Sequence, residues 1–244
     1  MIKKKKILIV QGSLRIGGCT TILRNYLKIF AKQEDYDVTL LLEEAPRNEN
    51  IPENIKVHHL LSHIEYEFGN ISRILISRNI DENKKDYFNS WINEIEYSKE
   101  KRLLDFINST PSINEHYDII IDFNSSFSNF LQKYDLHPDI KVIQWIHIYD
   151  QITRMLQSPE QSRYIFNKFS GFVCIADEMV EYQEQAIQQL NLDKKPITMI
   201  YNPFDLENAA LKRDELPSEQ DQELMKEPYL LSVAGLYNGA VLDN

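Results

Sequence analysis

The chain has 244 residues, 43% of them hydrophobic and 26% charged. That is ordinary globular usage, and the length suffices to bury a core without staples. A formal net charge of -10 argues against a general nucleic-acid surface, and two cysteines, Cys19 and Cys174, make no disulfide framework and point to the reducing cytoplasm.

The start, Met1 to Lys6, is basic, but the apolar run behind it is only Ile7 to Val10. A signal core needs roughly 7–15 apolar residues and a spanning helix about 20. The expectation is a protein that does not cross a membrane, although Lys3 to Lys6 leaves peripheral contact with anionic headgroups open. Ile7–Val10 is the first expected strand, followed by a turn from Gln11 to Gly18. A helix then carries Ile22, Leu23, Tyr26, Leu27 and Phe30 on one face. Val38–Leu42 and Ile55–His58 read as strands, with a polar loop over residues 43–54 between them. Residues 62–109 predict two or three helices, one of them with Phe88, Trp91, Ile92 and Ile95 on a common face.

Three clearer strands follow, at Tyr117–Asp122, Lys141–His147 and Gly171–Ala176. Val142-Ile143-Gln144-Trp145-Ile146 is apolar enough for a buried central strand. Asp177 is placed to cap a helix whose inward face holds Met179, Val180, Gln183, Ala186, Ile187 and Leu190. Ile197–Tyr201 is a further strand, stopped by Asn202-Pro203. Residues 206–227 are polar enough for a linker, and Tyr229–Val233 reads as one more strand. Short apolar runs alternating with helical patterns predict an α/β fold, a Rossmann-like parallel sheet flanked by helices. The expected division is 1–205 as one domain and 206–244 as a linker with the start of a second, incomplete domain.

A glycine-bearing turn between a strand and a helix start makes an anion site, because free N–H groups and the helix dipole favour negative charge there. The turn is Gly12-Ser13-Leu14-Arg15-Ile16-Gly17-Gly18. It is not a nucleotide-hydrolase phosphate loop: Gly18 and Cys19 stand where that loop needs Lys and Ser or Thr. The dinucleotide fingerprint also fails, since Gly12 is followed by Leu14 and Gly17. A tight packing turn is the other reading of these glycines. His59 and His63 are four apart but lack the adjacent Glu of a zinc-protease helix, so no metal is expected.

Five segments taken in order resemble the amino-terminal half of retaining GT-B-fold glycosyltransferases, including those that build bacterial lipopolysaccharide and other surface polysaccharides. They are Lys5–Val10 with Gly17-Gly18; Tyr117–Ile121; Val142–His147, which closes on a histidine; Phe172–Glu178; and Ile200-Tyr201-Asn202-Pro203-Phe204-Asp205. Tyr229–Ala234 resembles the first strand of the second domain of that family. The resemblance implies sugar transfer from a nucleotide sugar to a glycan or lipid-linked acceptor. It implies no cofactor and no metal, and a cytoplasmic place at or near the inner membrane face. By resemblance His147 is the catalytic residue, bonding a donor-sugar hydroxyl or the reacting region. Arg15, Gly17, Gly18 and Asn202 are substrate-binding, with Arg15 holding an anionic acceptor. A core histidine and a solvated loop arginine are the plainer readings of His147 and Arg15. The chain departs from the family at Gly235, where an Arg belongs, and lacks the later Lys and glutamate pair. The expectation is therefore a truncated enzyme. The alternative is a non-catalytic module that binds an acceptor or partner, or self-associates through an exposed cleft.

Overall fold

The structure is a computed structural model and describes residues 4–15, 17–46, 50–78, 80–109, 117–125, 127–206, 210–211 and 218–226. The expected strand at Tyr229–Val233, the departure at Gly235 and the Lys3 end of the basic run lie outside them. The chain divides into two units, Met1–Phe204 and Asp205–Asn244.

The first unit is α/β. Its strands are β1 (Lys5–Gln11), β2 (Tyr36–Glu44), β3 (Lys56–Leu61), β4 (Ile119–Asp122), β5 (Lys141–Ile146), β6 (Gly171–Cys174) and β7 (Ile197–Met199). They form one seven-stranded sheet in the order β3-β2-β1-β4-β5-β6-β7, and every pair is parallel. The helices are α1 (Gly18–Ala31), α2 (His63–Ser77), α3 (Glu82–Asn108), α4 (Ser128–Lys133), α5 (Tyr149–Gln157), α6 (Pro159–Phe166) and α7 (Asp177–Gln189). In the second unit α8 (Glu219–Leu224) is described, so part of the expected linker is helical.

The central strands are apolar on both sides because both sides are covered. On one face Ile7, Ile9, Val38, Leu40, Ile121, Trp145 and Val173 pack beneath Leu23 and Leu27 of α1. On the other, Leu8, Val10, Ile120, Val142, Ile146, Phe172 and Cys174 pack against α3 and the helices from α4 to α7. Strand alternation makes this assignment: successive side chains point to opposite faces. The expected inner face of α7 is buried at Met179, Gln183, Ala186 and Ile187. Asp177 does not cap it, however. Ala176 holds the N-cap position without a side-chain bond, and Asp177 lies in the first turn, where its charge suits the dipole. The expected loop after the second strand begins later than the polar residues suggest, because β2 continues through Glu43 and Glu44.

The end of β4 is organised by Asp122, which is fully buried. Its Oδ1 accepts the Phe127 N–H at 3.1 Å, and its Oδ2 accepts the Ser128 hydroxyl at 3.1 Å. The carboxylate thus stands in for a cap at α4, whose own N-cap, Phe127, offers none. Asp122→Ala leaves those two donors without this acceptor and is expected to lower unfolding stability by about 2–3 kcal/mol, measured by urea denaturation against the native chain.

Candidate functional site

Strand order reverses beside β1, which has β2 on one side and β4 on the other. In open α/β sheets, ligands bind outside the carboxyl ends of the strands at such a reversal. Because the strands are parallel, the loops after β1, β4 and β5 all leave from one rim. Two strand spacings, about 10 Å, separate β1 from β5.

Buried polar atoms without partners collect at this rim on the α1 face. Among the described residues eight buried side-chain N or O atoms lack a hydrogen bond, and five of them are Gln11 Oε1, Trp145 Nε1, His147 Nδ1 and Nε2, and Asn202 Oδ1. Gln11 ends β1 on the same face as Ile7 and Ile9. Trp145 and His147 close β5. Their rings stack with centroids 6.4 Å apart, and Phe123 lies 5.3 Å from Trp145 and 4.5 Å from His147. His147 is only 5% exposed. Burial lowers its pKa to about 4, against an opposing hydrogen-bonding pull from the Phe123 backbone, with which neither ring nitrogen reaches full hydrogen-bond geometry. The imidazole is therefore neutral near pH 7, with one nitrogen ready to donate and the other to accept.

Asn202 reaches the same place through α1. Tyr26 donates its hydroxyl to the Tyr201 carbonyl at 3.1 Å, and Asn25 donates to the Pro203 carbonyl at 2.9 Å. Tyr26 also packs edge-on against Trp145, with centroids 4.8 Å apart. The segment around Asn202 is thus stapled to the helix that covers His147.

Gly17 and Gly18 stand at the other end of that helix. Tyr26 lies eight positions after Gly18, so the glycines are about 12 Å further along the helix axis. Neither is demanded by the fold. Gly17 has an extended backbone, and a Cβ on either would meet nothing within 4 Å. The first turn carries no acidic residue, and the cap makes no side-chain bond. The α1 N-terminus is bare toward an anion.

Arg15 is elsewhere. Its Nε and Nη2 bond the two oxygens of Glu44 at 2.7 and 2.9 Å, Nη2 also reaches Glu67 at 3.0 Å, and the guanidinium lies 4.8 Å from the Tyr66 ring centroid. His63 Nδ1 lies 2.6 Å from Glu44 Oε1. The hydrogen bond from Glu44, reinforced by its charge, raises the Arg15 pKa despite burial. Burial pushes the Glu44 carboxyl upward, but Arg15 and His63 outweigh it and hold it below the ordinary value. Glu44, His63 and Glu67 place potential metal ligands within 4.8 Å of one another. Arg15 already brings a positive charge to both carboxylates. His58 and His59 do not join this cluster. The arrangement fixes Arg15 toward α2 by charge and stacking, in place of the solvated loop charge that is its plainer reading.

Sequence reasoning passed over Trp145, Gln11 and the polar network beyond β4. A signal was present, since Gln144 interrupts the apolar run of β5 and Asp122 ends β4 ahead of Asn124 and Ser125. An amide or carboxylate in a buried strand needs partners, and following those partners leads to this rim.

A doubly wound parallel α/β domain with buried, unpartnered polar groups at its carboxyl rim is thus the class of structure. No protein-family model matches the chain, and no curated protein matches it. A solved structure of Phytolacca americana UGT2 complexed with UDP-2fluoro-glucose and pterostilbene is similar over 89% of this chain, at 12% identity and a TM-score of 0.46. The match spans 58% of that protein's length.

The His147 environment has a consequence for stability. The unfolded chain takes up a proton near pH 6.5, whereas the folded chain resists it down to about 4. Stability is therefore lost as pH falls through that window, by roughly 3 kcal/mol in all for this group. His147→Phe removes two unpaired buried nitrogens and this dependence. It is expected to be at least as stable as the native chain at pH 7.5, and its advantage grows at pH 4.5. Urea titrations of both proteins at the two pH values check this.

Proposed function

We propose that this domain binds a nucleotide sugar at the carboxyl rim and takes part in transferring the sugar to an acceptor hydroxyl. The observation that carries the reading is the row of unpartnered buried polar atoms from Gln11 through Trp145 and His147 to Asn202. The five sequence segments that resemble GT-B glycosyltransferases support it, because the strands of the first four end at this rim and the fifth, which carries Asn202, follows β7 there. The finer reading is a glycan or lipid-linked acceptor in surface-polysaccharide synthesis, at the cytoplasmic membrane face. Among the described residues no helix is long and apolar enough to cross a membrane.

In such a transfer the bond from the anomeric carbon to the diphosphate oxygen breaks and a bond to the acceptor oxygen forms. The leaving diphosphate gains negative charge and takes up the proton that the acceptor hydroxyl loses. The bare N-terminus of α1 suits the first need through its free N–H groups and dipole. His147 suits hydrogen bonding to a sugar hydroxyl. With a pKa of about 4 it is a weak base at neutral pH, since a general base works best with a pKa near the operating pH. Its role in this reading is to orient the sugar. Arg15, turned toward Glu44 and Glu67, keeps the turn after β1 in place, and an anionic acceptor there competes with those two carboxylates for it.

Titration calorimetry of the full chain with UDP-glucose, UDP-galactose, UDP-N-acetylglucosamine and GDP-mannose tests the reading. At least one is expected to bind. His147→Ala should weaken that binding tenfold or more, about 1.4 kcal/mol, and Gly18→Val should weaken it while leaving the melting temperature within a few degrees. Absence of binding by all four ligands, or binding indifferent to both substitutions, overturns it. Binding without turnover toward any acceptor assigns the domain a holding role only.

A further inference from the structure

On the opposite face of the sheet, a crevice of about 430 Å³ opens between α4, α5 and α6. That volume is in the range of small-molecule sites, roughly 300–1,000 Å³. We propose that it is a binding site for a small neutral ring bearing several hydroxyls, such as a monosaccharide or a cyclitol. The proposal rests on this crevice alone and does not depend on nucleotide-sugar binding at the other face.

The inner wall is built from buried amides and hydroxyls. Gln144, Gln151 and Ser162 are each no more than 9% exposed, and all three line the crevice. The backbone N–H groups of His147 and Ile148 donate to Gln151 Oε1 at 2.6 and 3.2 Å. That fixes which way the amide points, so Gln151 Nε2 must donate, and it does so to Ser125 Oγ at 2.8 Å. Gln144 Nε2 reaches the same oxygen at 3.1 Å. With both amides donating, the Ser125 hydroxyl proton and Gln144 Oε1 remain for the cavity. If the Gln144 amide is turned over, Ser125 donates to it, and Gln144 Nε2 then faces the cavity with its protons. Either arrangement leaves hydrogen-bonding capacity at a buried wall, the feature a polar ligand satisfies.

Two further observations point the same way. Ser125 has φ 57°, a left-handed conformation uncommon for serine and concentrated at functional sites. The Ser162 hydroxyl makes no side-chain hydrogen bond among the described residues, although it is nine-tenths buried. The remaining surface decides the ligand class. Phe166 and Phe169, packed against Phe172, contribute only apolar edges to the lining, beside Met155 and Ile165. The single charged group of the lining is Arg154, and Asp150 one turn earlier neutralises it. Many hydrogen-bonding partners, an apolar border and no net charge select an uncharged polyol over a phosphate or carboxylate.

Saturation-transfer and backbone-amide NMR on the full chain, with glucose, galactose, mannose, N-acetylglucosamine and myo-inositol as probes, tests this. At least one probe is expected to shift the amides of Ser125 and Ser162. Ser162→Phe, which fills the crevice, and Ser125→Gly, which removes the hydroxyl without straining the backbone, should each weaken it tenfold or more. Should Ser162→Phe not fold, Ser125→Gly alone decides. No shift with any probe, shifts unchanged by the folded variants, or glucose 6-phosphate binding tenfold tighter than glucose overturns the proposal. A nucleotide sugar at the other face would instead move Gly18 and Trp145, so the two readings fail separately.

Discussion

The parallel register of β1 against both β2 and β4 is the constraint from which the rest follows. Ile7 pairs with Val38 on one side and Ile119 on the other, so β1 is fixed at the point where strand order reverses. Every loop that leaves the carboxyl rim is placed by that register. Slipping β4 by one residue would exchange the faces of Asp122 and Phe123. The carboxylate would then lose α4, and the phenyl ring would lose its contact with His147. Core and crevice are therefore set by the same hydrogen bonds.

The unpaired atoms at the rim need weighing, because unpaired atoms occur elsewhere too. Ser72 Oγ and Gln183 Oε1 are also buried without a partner, far from this edge in sequence and on other elements. One orphan is thus no sign of a site. The rim differs in that Gln11, the Trp145–His147 pair and Asn202 come from three points in the chain, at the ends of β1 and β5 and after β7, and all lie at one rim of the parallel sheet. Each unmet buried group costs about 1–3 kcal/mol, and a fold that minimised this cost would scatter or fill them. Gathering them where parallel sheets bind ligands gives the cost a use.

The architecture was legible in the sequence because it depends on local patterns. Apolar runs such as Ile7–Val10 and Val142–Ile146 mark strands whichever partners they find. The limits of the reading lie where distant residues decide. Arg15 looks like a free loop cation until Glu44, 29 positions later, is brought to it by the pairing of β1 with β2. Asp177 looks like a cap because the type of residue fits, yet the chain enters α7 one residue earlier. His147 was visible as the polar end of an apolar strand. Its lack of partners was not, since that depends on Phe123 and Trp145 crowding the ring and on no donor or acceptor filling the gap.

The two faces of the sheet meet at Gln151. The N-cap position of α5 is Ile148, which has no side-chain acceptor to offer. Gln151 supplies one from within the helix, taking the N–H groups of His147 and Ile148 on Oε1. Its other end holds Ser125 on the far face. An amide cannot rotate to release one side without presenting the wrong atom to the other, so the turn that carries His147 and the loop that carries Ser125 are fixed together. Hydrogen-bonded chains of this kind are stiff because each member's orientation depends on its neighbours. The backbone of His147 is thereby anchored from the opposite face, independently of its imidazole.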